Sequence, residues 1–311
     1  MCLIYRKYLW PKSLYMYFKV ENAKLFLEKH SLKFSDPTKF NDPFETAIDY
    51  QKSLYTTSFR KYCERLEKPT PKDVINCDDK LFSFLSSIGV CCFTECDTDI
   101  LMWAYYGENH RGVCFEFDPK EDAYFFTGLR KVEYKPKFEM IKECSGDLFF
   151  DDIIYSKAKC WKHEKEWRVA KEEMADKIWP INPQAIKSVI LGCNMTDYRN
   201  VGDTQLQNYL DIIELLKRLE YKDVTIKQVQ KDPFEYKLHS EEVPFLTYIE
   251  QKGKVVIISL KNQDINIEDK DGHIIYRALM CKWEVLNIPL QKGYYSLYNS
   301  AGSLIKLKVL V

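Results

Sequence analysis

Polar and apolar positions alternate from Glu164 to Val169, inside the stretch Trp-Lys-His-Glu-Lys-Glu-Trp-Arg-Val-Ala at 161–170. A period of two predicts a half-buried strand, with Glu164, Glu166 and Arg168 on one face and Lys165, Trp167 and Val169 on the other. Two carboxylates and a guanidinium on one face are costly to bury unless they pair or meet a polar ligand. The same pattern fits an exposed edge strand with a polar side.

The rest of the chain supplies irregularly spaced elements. Asn22 is placed to cap a helix over 23–30, followed by a strand over 32–35. The next stretch, Asp36-Pro37-Thr38-Lys39-Phe40-Asn41-Asp42-Pro43-Phe44-Glu45, holds two Asp-Pro pairs, and each proline pushes its predecessor out of the helical region. A packed loop is expected there, with helices at 59–67 and 78–87 after it. A continuous apolar strand over 88–94 leads to an aromatic helix over 100–106, capped by Thr98 or Asp99 and stopped by Gly107. A polar turn at 108–112 then feeds a strand over 113–117. Further strands are expected at 131–134, 188–192 and 224–229, with a helix over 151–160 leading into the opening strand. Thr204 caps an amphipathic helix with Leu206, Leu210, Ile213, Leu216 and Leu219 on its buried side.

Composition changes after about Lys237, and from Val243 the helical period disappears. Strands are expected at 255–260, 265–268, 274–279, 283–288, 294–298 and 304–311, separated by Gly-containing turns. The fold class is therefore α+β: a mixed central sheet with short helices over residues 1–242, then a small all-β, sandwich-like module over 243–311.

With 46% hydrophobic residues over 311 positions, the chain has enough apolar mass for a proper core. Lys plus Arg equals Asp plus Glu at 46 each, so no overall charge pulls it toward nucleic acid or anionic membrane, although a local basic patch stays open. The aromatic N-terminal stretch is interrupted by Arg6, Lys7, Lys12 and Lys19 and does not read as a signal peptide. Eleven cysteines without such a signal suit reduced thiols in a cytoplasm. Cys91, Cys92, Cys96 and Cys114 with His110 form no Cys-x-x-Cys pair, so no metal is expected. Phosphate-loop, dinucleotide-loop and Gly-x-Ser-x-Gly patterns are absent, which counts against common nucleotide kinases, Rossmann dehydrogenases and α/β-hydrolases.

Four stretches carry the candidate chemistry. They are Leu32–Pro37 with Phe40–Glu45; Cys92–Glu95 with Leu101–Tyr106; Asn109–Phe117; and Tyr155–Lys157 with Trp161–Val169. Asn41 and Asp42 either face a ligand or bond their own backbone in an Asx turn. Trp103, Tyr105 and Tyr106 cannot all face inward from one short helix, so one of them is expected at a surface or cleft. His110 and Arg111 sit in a turn suited to a phosphate contact or a proton transfer. Glu166 is the stronger of the two acidic candidates because apolar strand neighbours hold it rigid; its alternative is a structural pair with Arg168 or Arg111.

In this order the four stretches resemble a bacterial family known as domain of unknown function 2971, over roughly residues 14–240. Glu164-Lys165-Glu166 before Trp167-Arg168-Val169 is also similar to the Glu-x-Glu strand of ADP-ribosyltransferases. That second resemblance implies NAD as cofactor, Glu166 and Glu164 as catalytic carboxylates, and Arg6 or the strand around Tyr15–Lys19 as the cofactor anchor. Phe34 and Ser35 would then stand on the second strand; Lys19 occupies the place where an arginine is usual. A carboxylate there would stabilise an oxocarbenium-like ribose. Three readings follow: an NAD- or nucleotide-consuming enzyme, of a kind found in phage defence or toxin systems; a nucleotide- or nucleic-acid-sensing module whose β-module recruits a protein partner; or an adaptor whose polar strand forms an edge.

Overall fold

The computed structural model describes residues 10–46, 83, 85–138, 142–144, 147–149, 151–195, 203–218, 224–243, 245–250, 254–281, 284–299, 301–302 and 304–309. The helices expected at 59–67 and over most of 78–87, together with Arg6, lie outside them.

The chain opens with β1 (Leu14–Phe18), α1 (Val20–Lys29) and β2 (Ser31–Phe34). It continues through β3 (Gly89–Thr94), α2 (Ile100–Tyr105), β4 (Val113–Phe117), β5 (Arg130–Lys131) and β6 (Glu133–Lys135). A hairpin, β7 (Lys142–Cys144) and β8 (Asp147–Phe149), precedes α3 (Asp151–Ile154) and β9 (Ser156–Ala158). Then come β10 (Glu166–Lys171), β11 (Lys177–Pro180), β12 (Ile186–Leu191), α4 (Asp203–Arg218), β13 (Thr225–Lys231) and β14 (Leu238–Glu242). Eight of these strands form one sheet in the order β14-β13-β12-β4-β1-β3-β10-β5. It is mixed: β12 and β13 are parallel, whereas β10 and β3 are antiparallel. The α+β expectation holds, and the four segments expected to form the central sheet all lie in it.

The chain divides into two compact units. The first comprises Met1–Met16, Lys29–Asp99 and Glu116–Ile186. Its interior is aromatic: Phe93 packs on Phe117 and Phe126 at 5.6 and 5.2 Å, and Phe34 on Phe125 at 5.6 Å. Aromatic pairs of this kind add to burial through edge and offset contacts.

The second unit comprises Tyr17–Glu28, Ile100–Phe115 and Lys187–Val311. Here Phe26 packs on Phe18 and Phe115 at 5.3 and 4.8 Å. Helix α1 starts at Val20, not after Asn22, because its first N–H finds the Glu108 carboxylate at 2.9 Å. The cap is tertiary, so the local cap residue lost its meaning. α4 joins the parallel pair β12 and β13 as a crossover and buries Ile212, Ile213, Leu215 and Leu216.

Downstream lie β15 (Phe245–Glu250), β16 (Lys254–Ser259), β17 (Gln263–Glu268), β18 (Ile274–Met280), β19 (Val285–Pro289), β20 (Gly293–Tyr298) and β21 (Leu304–Val309). They form two sheets of their own, β15-β16-β19 and β18-β17-β20-β21. An uncharged, mostly aliphatic cluster of Val255, Ile257, Ile265, Ile267, Met280, Ile288 and Leu297 fills their interior. Strand β15 begins at once after β14, earlier than the turn signals suggested.

Two expectations near the opening strand are corrected. The helix over 151–160 is a single turn, α3, followed by β9, whose Lys157 pairs in parallel register with Tyr134 of β6. The opening strand starts at Glu166, because Lys159–Glu164 is a 3₁₀ helix that ends at Lys165 in the left-handed region, φ 46°. Nor is β10 an edge: β3 and β5 flank it.

Candidate functional site

Strand β10 pairs with β3 along its whole length, from Glu166 opposite Thr94 to Lys171 opposite Gly89. That register holds Glu166 and Arg168 on one face and Trp167 and Val169 on the other. The second face carries an ordinary surface contact at its start, where the Trp167 indole donates to Glu95 at 2.7 Å. The first face is a closed network of charge.

Arg168 has no solvent-exposed surface, and each of its three guanidinium nitrogens donates a hydrogen bond. Its Nε and Nη2 donate to the two oxygens of Glu166 at 2.8 and 3.1 Å, and its Nη1 donates to Glu45 at 2.7 Å and to the Ile154 carbonyl at 2.5 Å. The Lys157 ammonium completes the cluster, donating to Glu164 at 2.5 Å and to Glu166 at 3.3 Å. Backbone geometry supports it from two sides: the Thr94 hydroxyl donates to the Glu164 carbonyl, and the Glu166 N–H donates to the Tyr134 hydroxyl. Bidentate pairing of this type is the strong form of a charge-assisted bond.

The electrostatics follow from burial set against charge. Burial alone would push the Glu166 carboxyl up, but Arg168 and Lys157 outweigh it and bring it down to about 2. Burial disfavours the Lys157 ammonium too, yet Glu166 and Glu164 raise its pKa. Glu45 goes the other way: burial pushes its carboxyl up in spite of Arg168. Its second oxygen is buried without a hydrogen-bond partner. Three carboxylates meet two cations here, and Glu45 is the one that burial leaves least compensated.

The other sites separate clearly. Phe34 is fully buried in the aromatic core, and Ser35 bonds Val90 through its backbone. Asp42 makes the Asx turn, accepting from the Phe44 N–H at 2.9 Å, while its other oxygen is buried without a hydrogen-bond partner; Asn41 is exposed. Glu164 belongs to the network although it is not on the strand. Glu45 and Lys157 are members that sequence reading passed over. Both lie inside the four candidate stretches, at the end of Asp-Pro-Phe-Glu and of Tyr-Ser-Lys.

Beside the network lies a cleft of about 240 Å³, lined by Phe44, Lys135, Lys137, Phe138, Ser156 and Lys157 among others. Phe44 and Phe138 are about half exposed, with ring centroids 5.9 Å apart and planes inclined by 33°. Exposed paired phenylalanines beside lysines differ from the scattered apolar residues of an ordinary surface.

In the second unit Trp103 is fully buried and meets Tyr17 edge-on at 4.9 Å. Of its neighbours Tyr105 is exposed and Tyr106 half-buried. His110 is half-buried and Arg111 exposed. Asp269, Asp271 and His273 bring potential metal-ligand atoms within 4.8 Å of one another in an exposed turn. Asp269 there is already accepting from the N–H groups of Asp271 and His273.

Residues 102–169 match the model of a family described as a protein of unknown function, DUF2971. The matched stretch runs from α2 to β10 and includes Lys157, Glu164, Glu166 and Arg168, but not Glu45. It is shorter than the span of roughly 14–240 over which the resemblance was expected. No curated protein and no solved structure matches the chain. No helix among the described residues is long and apolar enough to cross a membrane.

Proposed function

We propose that the first unit binds a small anionic ligand of mononucleotide type in the cleft beside the charged network. The observation that carries this reading is the exposed Phe44–Phe138 pair with Lys135 and Lys137 in the same wall. A planar base stacks on such rings, and stacking is worth about 1–3 kcal/mol per base. The Lys137 ammonium in the wall suits a phosphate, and Lys135 beside it is shared with Glu133 at 3.0 Å. Size decides between ligands: about 240 Å³ lies below the roughly 300–1,000 Å³ of pockets that enclose drug-sized molecules, so one base with its phosphate fits better than a whole dinucleotide.

The network gives this cleft a rigid floor. Lys157 lines the cleft and is held from behind by Glu164 and Glu166. An NAD-consuming transfer would instead need a Glu166 oxygen free to receive a ribose hydroxyl, and both are engaged by cations. Binding without turnover is therefore the reading the geometry favours.

Calorimetric titration of the full chain with AMP, ADP-ribose and NAD tests it. AMP should bind, and Phe138→Ala should weaken it about tenfold or more. Absence of binding by any of the three, or affinity unmoved in Phe138→Ala, overturns the proposal. Nicotinamide released from NAD, and lost in Glu166→Gln, would establish the enzymatic reading in its place.

A further inference from the structure

In the second unit β12 ends at Leu191, and the chain turns through Gly192, Cys193 and Asn194. Its neighbour β13 is parallel. The C-terminal ends of parallel strands, where the chain leaves for a crossover, are where open α/β sheets present functional groups.

The loop that follows α2 packs on this turn in an unusual conformation. Glu108, Asn109 and His110 hold φ of 51°, 54° and 66° in succession, a region that residues with side chains rarely enter. Hydrogen bonds fix it there: His110 N–H to the Trp103 carbonyl at 3.2 Å, and Gly112 N–H to the Gly107 carbonyl at 2.8 Å. Asn194 N–H reaches back to the His110 carbonyl at 2.9 Å. A Cβ at position 192 would collide with that same carbonyl, so glycine is what lets the loop and the turn close on each other.

The closure brings Cys193 Sγ to 3.8 Å from His110 Nδ1. Both residues are half-buried, open enough for a small reagent. Burial, with Lys231 of β13 nearby, lowers the His110 pKa, so the ring is neutral near pH 7 and able to accept a proton. The Lys231 ammonium donates at 2.8 Å to the Asn194 side chain, which Cys193 also contacts. On the loop itself, the Glu108 carboxylate accepts from the Val20 N–H and Arg111 is exposed.

We propose that Cys193 and His110 form a nucleophilic thiol–imidazole pair, a site of covalent modification by soft carbon electrophiles. In the step, His110 Nδ1 takes the thiol proton and the sulfur electron pair forms a bond to the electrophilic carbon. The leaving group departs with its own bonding pair, and the imidazolium returns the proton to solvent. The thiolate is the reactive form, and a neighbouring imidazole raises its share at a given pH.

The chain carries its own controls. Cys160 and Cys281 are exposed thiols, and Cys91 and Cys114 are buried. The full chain is alkylated with iodoacetamide across a pH series, and the rate at each cysteine is read by peptide mass spectrometry. Cys193 should reach half its maximal rate at least about one pH unit below the exposed Cys160 and Cys281. In His110→Asn the Cys193 midpoint should rise to theirs; asparagine tolerates the left-handed backbone of that position. Cys91 and Cys114 remaining unlabelled report an intact fold. A Cys193 profile that coincides with Cys160 in the unaltered protein overturns the proposal, as does a midpoint unmoved in folded His110→Asn. Should the variant unfold, the profile of the unaltered protein decides alone.

Discussion

Two interiors in this chain are buried on different terms. Behind β10, Arg168, Glu166, Glu45, Lys157 and Glu164 are buried together and hold one another by charge. Between the strands of 254–298, Ile257, Ile265, Ile267 and Leu297 are just as buried and carry no charge at all. An aliphatic interior tolerates rearrangement at the cost of contacts and cavities. A charged one is all or nothing, since each member left without its partner keeps the full desolvation penalty. Equal burial does not mean equal sensitivity.

The largest effect is expected at the centre of the network. Arg168→Met should lower unfolding free energy by about 3–5 kcal/mol, because Glu166 and Glu45 would stay buried without their shared cation. Urea denaturation measures it; a loss below about 1 kcal/mol would erase the contrast between the two interiors. Ile265→Ala comes next, at about 3 kcal/mol through lost contacts and a cavity.

A pH series sharpens the difference. Glu166 has its pKa lowered from 4.5 to about 2, so its contribution is complete above about pH 4.5 and is lost as pH falls toward 2. Glu45 has the opposite sign: its carboxyl is raised, so its contribution is complete below its ordinary value and is lost as pH rises through the raised one. Glu166→Gln should flatten the acid limb of the urea midpoint, whereas Ile265→Ala should shift the whole curve down in parallel. An acid limb unchanged in Glu166→Gln would place the acid sensitivity elsewhere. The smallest effect is expected at the surface: Lys33, more than half exposed in its pair with Asp176, should change to alanine with no resolvable shift in the midpoint.

Much of this was legible in the chain, and the failures have physical causes. The alternation at Glu166, Trp167, Arg168 and Val169 announced both the strand and its polar face. Glu164 was assigned to that strand because nothing local marks Lys165 as left-handed; a glycine there would have done so. Glu166 was read as either catalytic or paired with an arginine, and Arg168 is that arginine. Lys157 and Glu45 escaped because their meaning lies in partners from other elements. Strand β11 escaped because it ends in Pro180 and carries few apolar residues facing one way. In the second unit Cys193 had no spacing signature, since its neighbour His110 comes from a loop 83 positions earlier.

The Glu45–Arg168 pair has a consequence for time as well as for stability. It joins residues 123 positions apart, whereas Lys157 finds Glu164 across 7. The short closure is entropically cheap and is available to a chain that has ordered only β9 and the 3₁₀ turn. The long one must wait until the 36–46 loop has been delivered to β10. A contact formed that late is expected on the native side of the folding barrier, so Glu45→Gln should hasten unfolding and leave the refolding rate nearly untouched, which stopped-flow rates across a urea series check. Glu45 would then act as a latch on the lifetime of the folded chain, with little say in how quickly the chain arrives there.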